Sequence, residues 1–507
     1  MNFNLCQKIL SPQQIQLLDQ MTIKTEPIPS IDLMERASEA FVSSFIQSYP
    51  RDRSVVVVAG TGNNGGDGMA IARLLVEQGY KVEAFVVGKP EKGSKDFQAN
   101  HAVLKAYCSC DIIASKEDFP VLDSAVVVVD ALFGSGLSRA VSGLFGELID
   151  YLNEQSLEAV AVDIASGLGC DQVFEGGRIL RVSQTITFEV PKYTQLLAEF
   201  EPYVGELNVV NIGLDLRQME ASITQRYFVT PQFITSLFRS KSKYAHKGTA
   251  GRCLLLVGSQ GKMGAAVLAA RACLRSGAGL LTTYIPQSGN QIMQIAVPEA
   301  MTITSPSLDV LSHSPDLDGY HAVGIGPGLG MEKETGMMVK AILVDSALPL
   351  VLDADALNII ARENSASLIP RGSVLTPHPG EFKRLVGDWK NDFEKLEKQR
   401  AFSREYQVVV VLKGANSSIT DLEGNIFFNS SGNPGMATGG SGDVLTGIIT
   451  AFLGQGYGGL EAALLATYLH GLSGDLALEH GSTETLIASD LINFLPRAFR
   501  KAQTRPS

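Results

Sequence analysis

A chain of 507 residues is too long for one hydrophobic core and predicts about two to four domains. Hydrophobic residues make up 45% and charged residues 19% of the chain, which is typical of a well-packed globular protein. The net charge of −11 argues against a nucleic-acid partner, and we find no basic stripe with interleaved aromatic residues.

The cysteines and the N-terminus indicate the compartment. Of six scattered cysteines only Cys108 and Cys110 lie close together, and a single pair of this kind is poor support for zinc. We therefore expect free thiols in a reducing compartment. The first residues lack the order of a signal peptide, and no apolar run approaches the roughly 18 residues that cross a bilayer. We expect a cytoplasmic protein with no membrane partner.

The first 80 residues predict two helices and then a strand, a glycine loop and a helix. Apolar side chains recur at helical spacing over residues 11–50. The apolar run Val55–Ala59 predicts a buried strand, and Met69–Gln78 predicts a helix that ends at a glycine. The glycine-rich residues 60–68 between them are typical of a Rossmann-type phosphate turn.

That turn is more polar than a phosphate cradle requires. Asn63, Asn64 and Asp67 offer hydrogen bonds and oxygen ligands to a polar substrate. A purely structural turn is the alternative.

The next strands end in aspartates. We predict strands over Val82–Val87, Ala125–Val129, Ala159–Val162 and Thr185–Glu189. Asp130 and Asp163 follow two of them, at the sheet edge where ligands of parallel sheets bind. Asn64, Asp130 and Ser166 could therefore converge, and such hard oxygen ligands of low charge suit an alkali cation. Lys192, after the last of these strands, is either a site cation or a surface lysine.

A second unit begins near residue 225 and alternates strands with helices, which predicts a parallel sheet wrapped by helices. Its predicted strands are Cys253–Val257, Ala322–Ile325, Leu350–Leu352, Val374-Leu375 and Val408–Leu412. All five lead into polar or glycine-rich segments, which begin at Gly258, Gly326, Asp353, Thr376 and Lys413. A hairpin with its turn at residues 423–425 follows.

The stretch Gly432–Asp443 is the strongest functional signal in the chain. Its glycines let backbone N–H groups approach an anion, and an apolar run of helical length follows directly. Asp443, at the predicted helix start, could take a proton from a substrate hydroxyl that faces a phosphoryl group. A lone motif of this kind would be an N-capping aspartate, but the longer run favours the phosphate site. Gly471–Asp475 is typical of a junction between helices.

At these motifs the chain resembles the bifunctional NAD(P)H-hydrate repair enzymes, over nearly its whole length. Residues 62–68 are similar to the epimerase signature of that family. The dehydratase set is matched by Lys247-Gly248, Gly326–Gly330, residues 378–381 and Asn433–Asp443. The resemblance implies an α/β protein with a Rossmann-like three-layer epimerase domain, residues 1–224, and a ribokinase-like dehydratase domain, residues 225–507.

The family's binding residues carry over position by position. The resemblance implies potassium ligands at Asn64, Asp130 and Ser166. It implies that hydrated substrate is bound by Asn63, Asn64, Gly65, Gly66, Asp67, Gly134, Ser135, Gly136, Leu137, Ser138, Arg139, Ala140, Asp163, Gly328, His378, Pro379, Gly380, Glu381 and Asp443. It implies that nucleotide is bound by Lys413, Gly414, Ala415, Asn416, Ser417, Asn433, Pro434, Gly435, Met436, Ala437, Thr438, Gly439, Gly440, Ser441 and Gly442.

The resemblance also implies the chemistry. The substrates would be NADHX and NADPHX, whose reduced ring carries a hydroxyl on C6. The epimerase would interconvert their R and S forms with K⁺, and the dehydratase would act on the S form with Mg²⁺ and ADP. Asp443 is the expected catalytic base of dehydration, with Glu381 in the outer shell of the magnesium. Asp163 is the expected acid/base of epimerisation and Lys192 the second candidate. We also expect a homo-oligomer.

Two departures and two alternatives stay open. Ala165 stands where relatives usually have proline, and Tyr193–Gln195 stands where a glycine-leucine pair is commoner. The second domain could instead be a small-molecule kinase of the same superfamily that uses ATP, although the fused first domain counts against this. The first domain could be a binding module for a protein partner, although Asn64, Asp130 and Asp163 are intact. ADP instead of ATP follows only by analogy with fused bacterial architectures.

Overall fold

The structure is a computed structural model that describes residues 3–155, 157–240, 242–248 and 250–504. The chain divides into two compact units, Lys8–Thr224 and Gln225–Ser507, the latter together with Met1–Gln7. Across the described ranges, no helix combines the length and the apolar character needed to cross a membrane. The six cysteines are free thiols.

The unit Lys8–Thr224 is a parallel sheet with helices on both faces. Strand β1 (Gln7–Lys8) belongs to the second sheet of the chain, described below. The strands of this unit's sheet are β2 (Val55–Ala59), β3 (Val82–Val87), β4 (Cys110–Ile113), β5 (Val127–Ala131), β6 (Glu158–Val162), β7 (Gln184–Phe188) and β8 (Glu206–Val210). Its helices are α1 (Pro12–Thr25), α2 (Ser30–Ser48), α3 (Asn63–Glu77), α4 (Lys95–Leu104), α5 (Gly143–Glu154) and α6 (Leu216–Ala221).

Alternating side chains of this sheet belong to two different cores. Val55 and Val57 pack in one core, while Val56 and Val58 pack in the other, as the two-residue period of a strand requires. The described strands follow the order β4-β3-β2-β5-β6-β7-β8, and every recorded pairing is parallel. The strand order reverses between β2 and β5, so the carboxyl ends of these two strands border the ligand crevice of such a sheet.

The unit from Gln225 onwards is built around a second, larger sheet. Its further strands are β9 (Arg226–Phe228), β10 (Arg252–Leu256), β11 (Leu280–Ile285), β12 (Met301–Thr304), β13 (Ala322–Ile325), β14 (Leu350–Leu352), β15 (Val374–Leu375), β16 (Val409–Leu412), β17 (Ser418–Thr420) and β18 (Ile426–Phe428). Its helices are α7 (Pro231–Leu237), α8 (Met263–Arg275), α9 (Asn290–Ala296), α10 (Lys333–Asp345), α11 (Ala354–Arg362), α12 (Pro379–Val386), α13 (Asp392–Tyr406), α14 (Ser441–Gly454), α15 (Gly459–Leu478) and α16 (Ala488–Gln503).

The order of the described strands in this sheet is β1-β9-β18-β17-β16-β15-β14-β13-β10-β11-β12. The central strands from β10 to β16 pair in parallel, whereas β16, β17 and β18 pair antiparallel as the predicted hairpin. The strand order reverses between β10 and β13, which brings the segments after these strands to one edge. The predicted α/β fold class is confirmed.

Most predicted elements of the first unit agree with the structure within two residues. Strands β2 and β3 have the predicted limits, whereas β5 lies two residues later than predicted. Asp130 is therefore inside a strand instead of after it. Strands β4 and β8 and helix α4 were not predicted, because short half-exposed segments carry weak periodic patterns. Helix α5 was missed although its buried Leu148, Ile149 and Leu152 recur at helical spacing.

Candidate functional site

Helix α3 begins at Asn63, so Asn63–Asp67 form its first turns. The prediction of a loop that continues to a helix start at Met69 is wrong. Packing explains the difference, because a Cβ atom on Gly65 would lie 1.9 Å from the carbonyl oxygen of Gly60. The glycine is thus needed for close approach of a helix to the preceding segment. The N-terminus of α3 lies at the carboxyl edge of the sheet, where its free N–H groups favour an anionic ligand.

The structure brings the three residues of the expected potassium site close together around the segment that follows β5. Ser166, after β6, donates its Oγ hydrogen to Oδ1 of Asp130 at 2.6 Å, and its backbone N–H to Oδ2 at 2.7 Å. The same Oγ accepts a hydrogen bond from the N–H of Phe133 at 2.9 Å. The Asn64 side chain lies against Gly134, the residue after Phe133, since a Cβ on Gly134 would lie 2.9 Å from the Asn64 Oδ1.

These residues fit a monovalent cation. Asp130 is fully buried, no basic side chain of the described residues pairs with it, and burial raises its pKa to about 6 against the opposing hydrogen bonds from Ser166. The Nδ2 atom of Asn64 is buried without a hydrogen-bond partner in the described chain. Both features cost free energy. A cation held by the Asn64 amide oxygen, the carboxylate and the hydroxyl would offset the cost of the buried carboxylate, whereas the Nδ2 donor needs an acceptor. One carboxylate with neutral oxygens suits a single charge.

The rest of the expected substrate segment lies beside this cluster. Gly134–Ala140 is a partly exposed turn that follows β5, and the N–H of Leu137 donates to the carbonyl of Gly134. The thiol of Cys170 donates to the carbonyl of Ser135 at 3.4 Å. The turn is therefore connected to the loop that carries Ser166.

Asp163 and Lys192 form a buried ion pair. Oδ1 of Asp163 accepts hydrogen bonds from the Lys192 ammonium, from the N–H of Phe188 at 2.9 Å and from the hydroxyl of Thr187 at 3.1 Å. The Lys192 ammonium also donates to that hydroxyl at 2.8 Å and to the carbonyl of Val190 at 3.2 Å. Lys192 is only 1% exposed, so the alternative of a surface lysine is wrong.

Two further carboxylates interact with this pair. Burial and the charge of Asp163, against the opposing charge of Lys192, together raise the pKa of Asp19, on α1, to about 7. Burial, with the charges of Asp163 and Asp19, also raises the pKa of Asp67 well above its usual range. Asp19 was missed by sequence reasoning, because a lone aspartate on an amphipathic helix is usually a solvated residue.

The glycine-rich stretch of the second unit ends in helix α14, as predicted. Gly440 takes a φ of 91°, a conformation that favours glycine, and α14 begins at Ser441. The stretch is not wholly irregular, because Pro434–Met436 form one 3₁₀ turn capped by Asn433. Across the described residues, no hydrogen-bond partner is recorded for the N–H groups of Gly439, Gly442 and Asp443. Free N–H groups at a helix N-terminus form an anion site.

A carboxylate on a neighbouring helix holds this loop. The prediction of a helix junction at Gly471–Asp475 is wrong, since these residues lie inside the continuous helix α15. Asp475 accepts hydrogen bonds from the N–H of Gly432 at 2.9 Å and from Nδ2 of Asn433 at 3.0 Å. A Cβ on Gly471 would lie 2.6 Å from the carbonyl oxygen of Ser431. Gly471 is thus required for the close approach of α15 to this segment, and Asp475 is a further residue that sequence reasoning missed.

Asp443 lies in the first turn of α14, half-buried. None of the described residues hydrogen-bonds to its carboxylate. Burial and the charges of Asp353 and Asp355, against the opposing charge of Lys413, together raise its pKa to about 7. A carboxylate of this kind is half-ionised near neutral pH, where a general base is most effective.

The remaining expected residues of the second unit follow its strands. His378 caps α12, its Nδ1 accepts from the N–H of Gly380 at 2.9 Å, and its own N–H donates to Oε2 of Glu381 at 2.9 Å. Burial raises the pKa of Glu381. The carbonyl of Gly328 accepts from the Ser259 hydroxyl at 2.8 Å, which connects the segments after β10 and β13.

The segment Lys413–Ser417 is a tight, partly exposed turn after β16. The Lys413 N–H donates to the carbonyl of Pro377 at 3.0 Å. The Ser417 hydroxyl closes the turn through hydrogen bonds with the N–H of Gly414 at 3.2 Å and its carbonyl at 3.1 Å. The expected nucleotide and hydrate segments of this unit therefore lie at the carboxyl edge of one sheet.

Known proteins match both units. A family model described as YjeF-related protein N-terminus matches residues 30–194, and one described as NAD(P)H-hydrate dehydratase matches residues 253–497. The bifunctional NAD(P)H-hydrate repair enzyme Nnr of Moorella thermoacetica is 35% identical over 98% of this chain and 97% of its own length. The Escherichia coli protein of the same name is 34% identical over 92% of this chain and 89% of its own.

Among solved structures, a ribokinase-like superfamily protein from Enterococcus faecalis is similar to this chain. It is 26% identical, with a TM-score of 0.50, and the match covers 56% of this chain and 99% of that protein. Together with the full-length relatives, this confirms the ribokinase-like fold and the resemblance drawn from the motifs. The chain belongs to the family of bifunctional NAD(P)H-hydrate repair enzymes.

Proposed function

We propose that this chain repairs hydrated nicotinamide cofactors at two independent sites. The unit Lys8–Thr224 interconverts the R and S forms of NADHX and NADPHX. The unit from Gln225 onwards converts the S form and ADP into NADH or NADPH, AMP and phosphate. The observation that supports this most strongly is the position of Asp443, a carboxylate with a pKa raised to about 7 beside free N–H groups at a helix N-terminus.

Dehydration follows from that pairing of base and anion site. Asp443 removes the proton of the C6 hydroxyl. The oxygen of that hydroxyl attacks the β-phosphorus of ADP, and AMP departs. The free N–H groups of the loop stabilise the charge of the transferring phosphoryl group. The phosphate ester on C6 is a better leaving group than hydroxide. The lone pair of the ring nitrogen expels it, a proton leaves C5, and the dihydropyridine ring is restored.

The nucleotide and Mg²⁺ bind at the same sheet edge in this proposal. ADP lies along residues 413–417 and 433–442, and the hydrate contacts Gly328, His378–Glu381 and Asp443. Within the described ranges no cluster of three acidic, His or Cys side chains is placed to hold a metal. Mg²⁺ would therefore bind mainly to phosphate oxygens and water, with Glu381 in its outer shell, and would neutralise phosphate charge.

Epimerisation uses the buried pair of the first unit. The Asp163–Lys192 pair removes the proton of the C6 hydroxyl as the C6–N1 bond breaks, its electrons pass to N1 and the conjugated carboxamide, and C6 becomes an aldehyde. The C6–N1 bond then re-forms on the other face of that aldehyde, and the pair returns the proton to the same oxygen. Asn63–Asp67 and Gly134–Ala140 bind the hydrate. Asn64, Asp130 and Ser166 would hold K⁺, which would supply positive charge at the N-terminus of α3. We expect a homo-oligomer as well, which sedimentation velocity would measure.

The test is the return of near-ultraviolet absorbance from a mixed R/S sample of NADHX with Mg²⁺, K⁺ and either ADP or ATP. We expect complete recovery with ADP. Recovery that stops at the S fraction would contradict the epimerase assignment and leave the dehydratase. Absence of recovery with both nucleotides would contradict the dehydratase and favour the small-molecule kinase.

A further inference from the structure

Asp353 is a buried carboxylate that connects two elements of the second unit. It follows β14 directly and is only 1% exposed. Its Oδ1 accepts a hydrogen bond from the Lys413 ammonium at 2.7 Å, and its Oδ2 accepts one from the Thr446 hydroxyl at 2.6 Å. Lys413 follows β16 and Thr446 lies on α14. One side chain therefore fixes both the lysine and the rotation of the helix that carries Asp443.

The Lys413 ammonium lies against the first turn of α14. A Cβ on Gly442 would be 3.0 Å from Nζ of Lys413 and 3.6 Å from Oδ2 of Asp353. Glycine at this position leaves room for the ammonium beside the free N–H groups of the loop. The Lys413 side chain keeps 24% of its surface exposed, so it is open to a ligand in spite of its buried partner.

The charges around Asp443 make the partner of Lys413 important. Besides burial, the charges of Asp353 and Asp355 raise the pKa of Asp443, and the charge of Lys413 lowers it. Asp355 is itself engaged, since its Oδ2 accepts from the N–H of Gly330 at 2.8 Å and lies 3.4 Å from the Lys262 ammonium. Burial and the charge of Asp353 raise the pKa of Glu381, whereas Lys413 and His378 lower it. The Lys413 ammonium is thus paired with Asp353 and also lowers the pKa of Asp443 and of Glu381. An ammonium paired directly with Asp443 would hold that carboxylate ionised and weakly basic.

We propose that Asp353 is a positioning residue for dehydration, which holds the Lys413 ammonium on the transferring phosphoryl group and away from Asp443. The inference rests on the proposed function and adds to it a second charge at the phosphoryl site. Lys413 stabilises the negative charge of the transferring group, while Asp353 prevents the ion pair that would weaken the base. Asp353 itself touches neither substrate nor nucleotide.

The test compares the pH dependence of dehydration kcat/KM in full-length variants. Asp353→Asn removes a negative charge near Asp443, so we expect the acidic midpoint to move down by about one pH unit, together with a lower kcat. Lys413→Met removes the positive charge, and we expect the midpoint to move up. Thr446→Val is the matched control, because it removes a hydrogen bond to Asp353 and leaves all charges in place. Its midpoint should stay at the wild-type value.

Opposite shifts in the single variants follow from their charges alone, so the double variant Asp353→Asn/Lys413→Met is decisive. If Asp353 prevents an ion pair between Lys413 and Asp443, the downward shift of Asp353→Asn depends on the lysine, and the midpoint of the double variant should lie above the sum of the two single shifts. Additive shifts would overturn the proposal.

Thermal melting of each variant reports its folding. Where Asp353→Asn does not fold, the double variant is compared with Lys413→Met: with the lysine gone, loss of the Asp353 carboxylate should leave kcat unchanged, and a further loss of kcat would overturn the proposal. Absence of dehydration by the wild-type chain would instead contradict the proposed function.

Discussion

Asp163 and Asp443 are both aspartates at the carboxyl edge of a parallel sheet, yet their surroundings differ. Asp163 has a left-handed backbone with a φ of 68°, and its carboxylate is fixed by the Lys192 ammonium, by a hydroxyl and by a backbone N–H. The carboxylate of Asp443 has no hydrogen-bond partner among the described residues, and its pKa is raised to about 7. The difference lies in the environment and not in the residue type.

The comparison teaches how one residue type can serve two reactions. A carboxylate that is locked to a buried lysine acts with it as one unit, which suits the return of a proton to the same oxygen. A free carboxylate of raised pKa at a helix N-terminus suits removal of a proton from a nucleophile that attacks phosphorus. The predictions below test whether the two sites work independently.

The largest effect is expected from Asp443→Asn. Loss of the base should lower dehydration by about 10²–10⁴-fold, since general base catalysis contributes on this order. Epimerisation should be unchanged, because the pair that drives it is in the other unit. Absorbance recovery measures the first activity, and chromatographic exchange of R and S forms measures the second. Loss of both activities from this single change would contradict independent sites.

Breaking the Asp163–Lys192 pair should abolish epimerisation. The single and double variants together distinguish the effect on activity from the effect on stability. Lys192→Met leaves a buried carboxylate unpaired, which costs about 3–5 kcal/mol and should lower the Tm markedly. Asp163→Asn should also lower epimerisation, by about 10²-fold or more. The double variant should regain much of the Tm relative to Lys192→Met, because no charge is left unpaired, without regaining activity. Recovered epimerisation in the double variant would contradict a catalytic pair.

A smaller effect is expected from Asp475→Asn. The loss of charge-assisted hydrogen bonds to Gly432 and Asn433 should destabilise the ordered conformation of the loop by about 1.5–3 kcal/mol. We expect a 10- to 100-fold higher KM for ADP and a smaller change in kcat. Glu479→Gln, an exposed carboxylate four residues further along, is the matched control and should behave as wild type. Equal effects of the two variants would show that Asp475 does not act through the loop.

The smallest effect is the pH dependence of the wild-type dehydratase. Because the pKa of Asp443 is raised to about 7, its basic form is lost as the pH falls through that value. At one pH unit below the midpoint, about one tenth of the molecules keep the base, so kcat/KM should fall about tenfold per unit. A profile that stays flat down to about pH 5 would exclude Asp443 as the titrating base.

The sequence predicted the core strands well, and the reason is local. The strands Val55–Ala59, Ala322–Ile325 and Leu350–Leu352 have the predicted limits, because each is a continuous apolar run that ends at glycine or aspartate. The first turns of α3 were predicted as a loop, because glycine and asparagine disfavour helices in isolation. Only the contact of Gly65 with Gly60 in the folded chain explains why glycine stands in the first turns of this helix.

The supporting residues of the two sites could not be predicted for a different reason. Asp353 and Lys413 are 60 residues apart, and Asp475 and Asn433 are 42 residues apart. Asp19 interacts with Asp163 across most of the first unit. Such pairs depend on how the chain folds back on itself, and no local spacing reveals them. The motifs predict which groups contact ligands, while the groups that orient them emerge only from the fold.

The central claim, two independent active sites on one chain, is tested most directly by complementation. Asp163→Asn alone should return absorbance from the S fraction of NADHX only, and Asp443→Asn alone should return none. An equal mixture of the two variants with ADP should recover all of the NADH, because each supplies the activity that the other lacks. A mixture that stops at the S fraction would contradict the account.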